Sequence, residues 1–167
     1  MTAIDDIPVA STPPGGYGEH DRDRYERTMP PPILAGAPDV LAPNVPDLRG
    51  TWRVVDLRSN GEPLPAASPQ WRHVERIEQS GDRVVITGGG IIHDFPHADG
   101  TLENALRDVM AVDFSTPLVV TAAFENGVFV LRPDGNDSVR VTRHREGDHL
   151  VWDYAGVFRA TMGRVDR

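Results

Sequence analysis

Four residues at alternate positions include two side chains that can take up or release a proton, His73 and Glu75. The other two, Trp71 and Ile77, are large and apolar. Alternate residues of a β-strand project from the same face of a sheet. If that face is buried, the apolar surroundings raise the pKa of Glu75 and make its carboxylate a candidate general base. If the face is exposed, Glu75 is a solvated partner of a neighbouring arginine. The residue types alone leave both orientations open.

His93 is a second candidate for proton transfer, because it shares one face of a predicted strand with Ile91 and Phe95. A lone imidazole on an apolar face either serves a ligand or is a structural histidine with a hydrogen-bond partner. Two histidines and two aspartates also fall within residues 93–99. The two-histidine spacing of a metal-binding strand or helix is missing there, so we predict no metal site.

Trp152 and Tyr154 share a face on a predicted strand near the end of the chain. The phenol of Tyr154 could donate a hydrogen bond to a carbonyl oxygen, which makes it the third candidate catalytic residue after Glu75 and His93. The alternative interpretation is that both rings simply pack in the core.

Another strand must turn either Phe129 and Leu131 or Val128 and Val130 toward the interior, and the pattern does not decide between the pairs. We take the first pair as the ligand-lining one. The predicted ligand-binding residues are Trp71, His73, Phe129, Leu131, Thr142 and Trp152.

The composition excludes several chemistries. All 17 basic residues are arginine and cysteine is absent, so lysine Schiff bases, thiol nucleophiles, disulfides and thiolate metal sites are ruled out. The net charge of −8 disfavours a nucleic-acid partner. We therefore predict no cofactor and a hydrophobic small molecule as the partner. Arg132 or Arg140 could hold a ligand carboxylate, although surface roles are as consistent. A homodimer is left open.

No apolar run approaches the roughly 20 residues of a membrane-spanning helix. The first ten residues carry Asp5 and Asp6 and no basic residue, unlike a signal peptide. These features predict a cytoplasmic protein without a membrane span.

The chain divides near residue 47. Residues 1–47 hold 9 of the 15 prolines and 8 acidic residues against 3 arginines, with no tryptophan or phenylalanine. Such a segment cannot offset its ordering entropy alone. We predict an acidic N-terminal arm, either a disordered tail or a lid over a preformed surface, with a short polar helix over 17–29. Residues 48–167 form the second domain.

Tight turns divide the second domain into short apolar runs, which predicts a meander of strands. Asn126-Gly127 is the clearest turn, because both residue types tolerate positive φ. Residues 101–110 also show helical spacing, and we favour a strand for their second half. The predicted strands are 51–58, 73–79, 83–88, 90–95, 107–114, 118–125, 128–132, 138–145, 149–154 and 157–164.

Arg49-Gly50-Thr51-Trp52-Arg53 resembles the opening of the lipocalin-like (calycin) proteins, where Gly-x-Trp begins the first strand of the barrel. The resemblance implies an all-β, up-and-down antiparallel barrel of 8–10 strands with an irregular N-terminal arm. It also implies that Trp52, with Gly50, closes the barrel floor. A late arginine, Arg159 or Arg164, is expected to cover the indole ring.

Three functions are compatible with this reading. The favoured one is a cofactor-free cyclase or isomerase that folds a polyketide-like substrate of secondary metabolism, by analogy with barrel-shaped bacterial cyclases. The second is a non-catalytic intracellular carrier of a fatty acid or another hydrophobic ligand. The third is a nitrobindin-like haem barrel, which needs an inward histidine near the mouth, with His144 and His149 as candidates.

Overall fold

Short runs rich in β-branched and aromatic residues form eleven antiparallel strands in the computed structural model, which describes residues 1–165. The predicted turn at Asn126-Gly127 has positive φ at both residues, as a two-residue hairpin turn requires. The strands are β1 (Gly50–Ser59), β2 (Glu62–Pro63), β3 (Val74–Ser80), β4 (Arg83–Gly88), β5 (Ile91–Phe95), β6 (Leu106–Val109), β7 (Pro117–Glu125), β8 (Val128–Pro133), β9 (Val141–Glu146), β10 (His149–Tyr154) and β11 (Phe158–Arg164).

Ten of these strands follow one another in a single sheet, in the order β5-β4-β3-β1-β11-β10-β9-β8-β7-β6, and β2 pairs separately with β1. The sheet curls until β5 and β6 meet, so it is a nearly closed antiparallel barrel. This confirms the predicted all-β barrel. We call the end where β1 begins and β11 finishes the floor, and the end where β1 finishes and β11 begins the mouth.

Two local predictions in the chain are wrong. The strand expected over 107–114 finishes at Val109, because the next residues turn and Phe114 adopts a φ of 55°. The amide of Phe114 donates to the carbonyl of Met110, which closes this turn. The helix expected over 17–29 is reduced to one 3₁₀ turn, Arg24–Glu26, because the segment closes on itself as an irregular loop. In this loop Arg27 donates to the carbonyls of Gly15 and Arg22, and the Glu19 carboxylate accepts from Thr28.

The interior is filled from the floor upward by apolar side chains of every long strand. At the floor end the largest of them, Trp52, Phe95, Phe129, Leu150 and Met162, are at most 1% exposed. These residues belong to one continuous cluster, which also contains Leu48 just before β1. The floor half of the barrel is therefore solid core. No helix within residues 1–165 has the length and apolar character needed to cross a membrane.

The N-terminal arm lies along the outer wall formed by β3, β4 and β5. Tyr17 and Leu34 of the arm are buried against Val85 and Ile92, which point outward from the barrel. The carboxylate of Glu78 accepts the backbone N–H groups of residues 33 and 34, at 3.1 and 2.7 Å. The arm is thus an ordered strap on the outside of the wall, neither a disordered tail nor a plug in the barrel.

Arg83 fastens the start of this strap to the wall. Its Nε and Nη2 donate to the two carboxylate oxygens of Asp94, at 3.0 and 2.7 Å. Nη1 donates to the carbonyls of Ile4 and Ile7, and Nη2 also donates to the carbonyl of Pro8. All five N–H groups of the guanidinium are therefore used. Both side chains of the ion pair are almost completely buried under the arm.

The arm also bridges the seam between β5 and β6, which do not pair with each other. The Thr12 hydroxyl accepts the N–H of Ile92 and donates to the carbonyl of the same residue. The N–H of Thr12 donates to the carboxylate of Asp108 on the other side of the seam, at 2.9 Å. One arm residue therefore connects the two edges of the sheet.

We expect Arg83→Met to lower the free energy of unfolding by about 3–5 kcal/mol, because it leaves the buried Asp94 carboxylate without its partner. Urea unfolding followed by circular dichroism measures this. Arg132→Met is the matched control, since Arg132 pairs with Glu125 on the surface and its loss should change stability by less than about 1 kcal/mol. Equal effects of the two substitutions would contradict the anchoring role of Arg83.

Candidate binding site at the mouth of the barrel

Trp52 closes the floor and thereby fixes which end can be open. The indole is fully buried, and its Nε1–H donates to the carbonyl of Leu48 at 3.0 Å. The guanidinium of Arg164 covers the ring at 4.4 Å from its centroid, and Arg145 lies at 5.4 Å. Of the two late arginines, Arg164 therefore occupies the covering position. Arg159 lies on the surface, where it pairs with Glu146 and Asp153.

Gly50 is needed beside this floor for a steric reason. Its φ is 146°, and a Cβ atom built there would come within 2.4 Å of the Arg164 guanidinium. A side chain at position 50 would therefore displace the arginine from the indole.

A buried polar cluster lies above the floor, and Glu75 is at its centre. Glu75 is fully buried and faces the interior, the first of the two orientations that its sequence allows. Arg143, on β9, donates to both carboxylate oxygens at 2.7 and 2.9 Å. His73 Nε2 lies 2.7 Å from Glu75 Oε1, and since a carboxylate only accepts, this nitrogen carries the hydrogen. The Glu75–Arg143 ion pair joins β3 to β9 across the lumen.

The pKa of Glu75 is lowered to about 2, which is opposite to the predicted direction. Burial does raise the pKa, as expected, but the positive charge of Arg143 and the hydrogen bond from His73 outweigh burial. Glu75 is therefore an ionised carboxylate whose two oxygens both accept hydrogen bonds, and the predicted rise of its pKa, on which the role of general base depended, is wrong.

Aromatic rings surround this cluster on the mouth side. The ring centroids of Trp152 and His73 are 4.5 Å apart. The Cζ atom of Arg143 lies 5.2 Å from the centroid of the Trp152 ring. Phe158 meets Trp152 edge-on at 4.8 Å, and Tyr154 packs against Phe158 at 5.6 Å. These rings form a wall of the mouth on β10 and β11.

The mouth differs from the floor in how its inward side chains are covered. Several apolar residues that pack on the core at this end remain only half-buried, namely Leu64, Trp71, Leu118, Leu131, Trp152 and Tyr154. Trp71 lies in the 3₁₀ turn Pro69–Arg72, where its Nε1–H donates to the backbone carbonyls of residues 64 and 65. The mouth end therefore presents more accessible apolar surface than the floor end, where Phe124 is also half-buried.

His93 faces the interior beside the seam, together with Ile91 and Phe95, as its strand pattern predicts. Its Nε2 lies 3.3 Å from the carbonyl of Val109, across the gap between β5 and β6. Burial lowers the pKa of His93, and the nearby Arg143 charge lowers it further, against an opposite effect from Asp108. The ring is thus neutral at pH 7, and Nε2–H donates to Val109.

The structure brings most of the predicted ligand-binding residues to the interior but not all of them. Phe129 and Leu131 face inward, which decides between the two pairs that the sequence left open. Thr142 does not, because it alternates with the inward-facing Arg143 and so lies on the outer face of β9. Its assignment as a ligand-binding residue is wrong.

Four other candidates for ligand or haem binding also lie outside. Arg132 pairs with Glu125 on the surface, and Arg140 is exposed. His149 is exposed, and His144, next to Arg143 on β9, points outward to Glu146 at 2.8 Å. The last two histidines are near the floor, so neither fits the inward axial ligand that a haem barrel would need.

Two residues that matter here were missed by sequence reasoning. The sequence does contain a signal for Arg143. This residue shares a strand face with the apolar Val141, opposite Thr142, and a buried Glu75 would require a cation as its partner. Tyr25 belongs to the arm but reaches the mouth, where its ring meets His73 edge-on at 6.2 Å. Nothing in the sequence around Tyr25 indicates this long-range contact.

Comparison with known proteins identifies the fold of this chain. No protein-family model matches the sequence, and no curated protein matches it. By contrast, 49 chains of solved structures match its three-dimensional form. One is human cRBP IV, a cellular retinol-binding protein, with a TM-score of 0.50 and 19% identity, over 71% of this chain and 98% of that chain. The chain has the lipocalin-like, or calycin, fold.

The calycin fold explains the arrangement of this site. In a closed barrel, alternate residues of every strand converge on one lumen, so residues distant in sequence can meet there. The Gly-x-Trp opening lies at the floor of this calycin barrel, and the polar cluster and aromatic wall lie between that floor and the mouth.

We expect Glu75→Gln to remove part of the pH dependence of stability. The folded-state pKa of Glu75 lies below its ordinary value, so its contribution, about 3 kcal/mol, is present above about pH 4.5 and is lost as the pH falls toward about 2. The stability difference between wild type and Glu75→Gln, measured by urea unfolding, should therefore shrink between these pH values. A constant difference would contradict the lowered pKa.

Proposed function

We propose that this barrel binds a hydrophobic small molecule through its mouth. The observation that carries the proposal is the contrast between the two ends of one lumen. Most floor side chains are fully buried, Phe124 excepted, whereas several apolar and aromatic side chains at the mouth are half-buried while facing inward. Accessible, inward-facing apolar surface beside a few convergent polar groups is typical of a small-molecule site.

The fold neighbour supports the same class of function. Human cRBP IV is a retinol-binding protein, and retinol is a long apolar molecule with one hydroxyl group. The lumen described here pairs an apolar wall of Trp152, Tyr154 and Phe158 with polar atoms of His73 and Arg143. This combination suits a molecule that is mostly apolar and has a polar end.

A carrier role fits these side chains better than catalysis. Glu75, the strongest catalytic candidate in the sequence, is held ionised by three hydrogen bonds from His73 and Arg143, so it lacks the matched pKa of a general base. The arm lies on the outer wall, with only Tyr25 beside the mouth, so most of it is not a closing lid.

A cofactor-free cyclase or isomerase is the second candidate, and His93 is the residue that favours it. Its imidazole is neutral and faces the lumen, and Nε2 is committed to Val109. Nδ1 has no hydrogen-bond partner within residues 1–165, so it could accept a proton from a substrate. Tyr154 could then donate a hydrogen bond to a developing oxyanion.

Binding is tested with retinol, whose fluorescence rises in an apolar site, in a titration of the purified full-length chain. We expect Leu131→Glu to weaken binding by about tenfold or more, because it places an unpaired carboxylate at the inner side of the mouth. Thr142→Glu is the matched control, since it adds the same group to the outer face, and binding should be unchanged.

Native mass spectrometry of the purified chain adds an independent measurement, because a bound apolar molecule would be released on unfolding. Isomerisation conserves mass, so conversion is followed by the chromatographic retention of that molecule, with His93→Gln as the inactive variant. A wild-type chain that binds neither retinol nor any copurified apolar molecule would refute the proposed function.

A further inference from the structure

We infer that the ligand is an uncharged, oxygen-bearing apolar molecule, and that Glu75 is the residue that excludes carboxylates such as fatty-acid anions. This inference rests on the proposed function and names the ligand class of the same site. It follows from how the charges of the lumen are paired.

Arg143 cannot serve as a carboxylate receptor, because its charge is already compensated. Two of its nitrogens, Nε and Nη2, donate to the two oxygens of Glu75 in a bidentate ion pair. Both side chains are buried, at 7% and 0% exposure, so solvent does little to screen this pairing. A ligand carboxylate at this place would compete with a carboxylate that the fold itself supplies.

Arg143 nevertheless keeps one donor nitrogen for a neutral oxygen. Its Nη1 donates to no acceptor within residues 1–165, and the guanidinium lies against the Trp152 ring on the side of the aromatic wall. A hydroxyl, carbonyl or ester oxygen can accept from Nη1 without bringing a charge into the lumen.

Within residues 1–165, the other charged groups around the lumen do not supply a free cation. His93 is neutral, and the buried Asp108 carboxylate lies 3.9 Å from its Nε2. At the rim, Arg24 donates to Ala111 and Tyr25, and Arg72 pairs with Asp23. Arg145 and Arg164 lie at the floor, over Trp52. Because Glu75 already compensates Arg143, the nearby Asp108 carboxylate adds negative charge that opposes a further anion.

Retinol and retinoic acid form the test pair, because they share one apolar skeleton and differ in an alcohol or a carboxylate. Titrations of the full chain at about pH 8, where the acid is ionised, give the ratio of the two dissociation constants. We expect wild type to bind retinol about tenfold or more tightly than retinoic acid. In Glu75→Gln, which leaves Arg143 unpaired, the ratio should fall by about tenfold or invert in favour of the acid.

Asp94→Asn is the matched control. Asp94 is also a buried carboxylate held by two nitrogens of one arginine, but it lies on the outer wall under the arm. The same loss of one negative charge there should leave the retinol-to-retinoic-acid ratio unchanged. Circular dichroism checks that both variants are folded.

Each outcome separates the inference from the proposed function. Wild type that binds retinoic acid as tightly as retinol overturns the inference and leaves the binding function intact. Wild type that binds neither molecule refutes the binding function itself. A folded Glu75→Gln variant with the wild-type ratio overturns the role of Glu75. Since the wild-type ratio requires no substitution, the ligand class is tested even if Glu75→Gln does not fold.

Discussion

The ion pair between Glu75 and Arg143 determines what the inside of this barrel can be. The two residues lie on β3 and β9, which are separated in the sheet by β1, β11 and β10, so the pair spans the lumen instead of a strand ladder. Burying either charge alone would be costly, and burying them together gives a polar but electrically balanced interior. The low pKa of Glu75 follows from this contact together with the hydrogen bond from His73, and the Trp152 ring lies against the same guanidinium.

The lumen and the outer wall each contain a buried ion pair between an arginine and a carboxylate, but the two arginines differ in their remaining donors. Inside, Arg143 donates to Glu75 through Nε and Nη2, and its Nη1 has no acceptor within residues 1–165. Outside, Arg83 has every donor engaged by Asp94 and by carbonyls of the arm, so the wall is a finished surface. A satisfied buried network favours one arrangement, whereas a network with a spare donor favours an additional partner. This contrast distinguishes Arg83, which anchors the arm, from Arg143, which keeps a donor for the proposed ligand.

Much of the fold could be predicted from local signals. Turn pairs such as Asn126-Gly127 mark strand ends, and Gly50-x-Trp52 marks the first strand of the barrel. The site was only partly predictable, because a carboxylate's chemistry depends on what faces it. Arg143 is 68 residues from Glu75, and no spacing rule connects them. Prolines in the arm exclude regular structure, but they do not indicate which surface the arm will cover.

The double hydrogen bond between Thr12 and Ile92 has a consequence for how copies of this chain behave toward one another. An unpaired strand margin is a template on which another polypeptide can add a strand, and this sheet has two such margins, at β5 and β6. The side-chain hydroxyl of Thr12 forms hydrogen bonds with the backbone of Ile92 at the β5 margin. The backbone N–H of Thr12 donates to Asp108 at the β6 margin. The same few residues that complete the wall thus cover the two margins on which a second polypeptide could otherwise add a strand, and they belong to a segment that has almost no regular structure of its own.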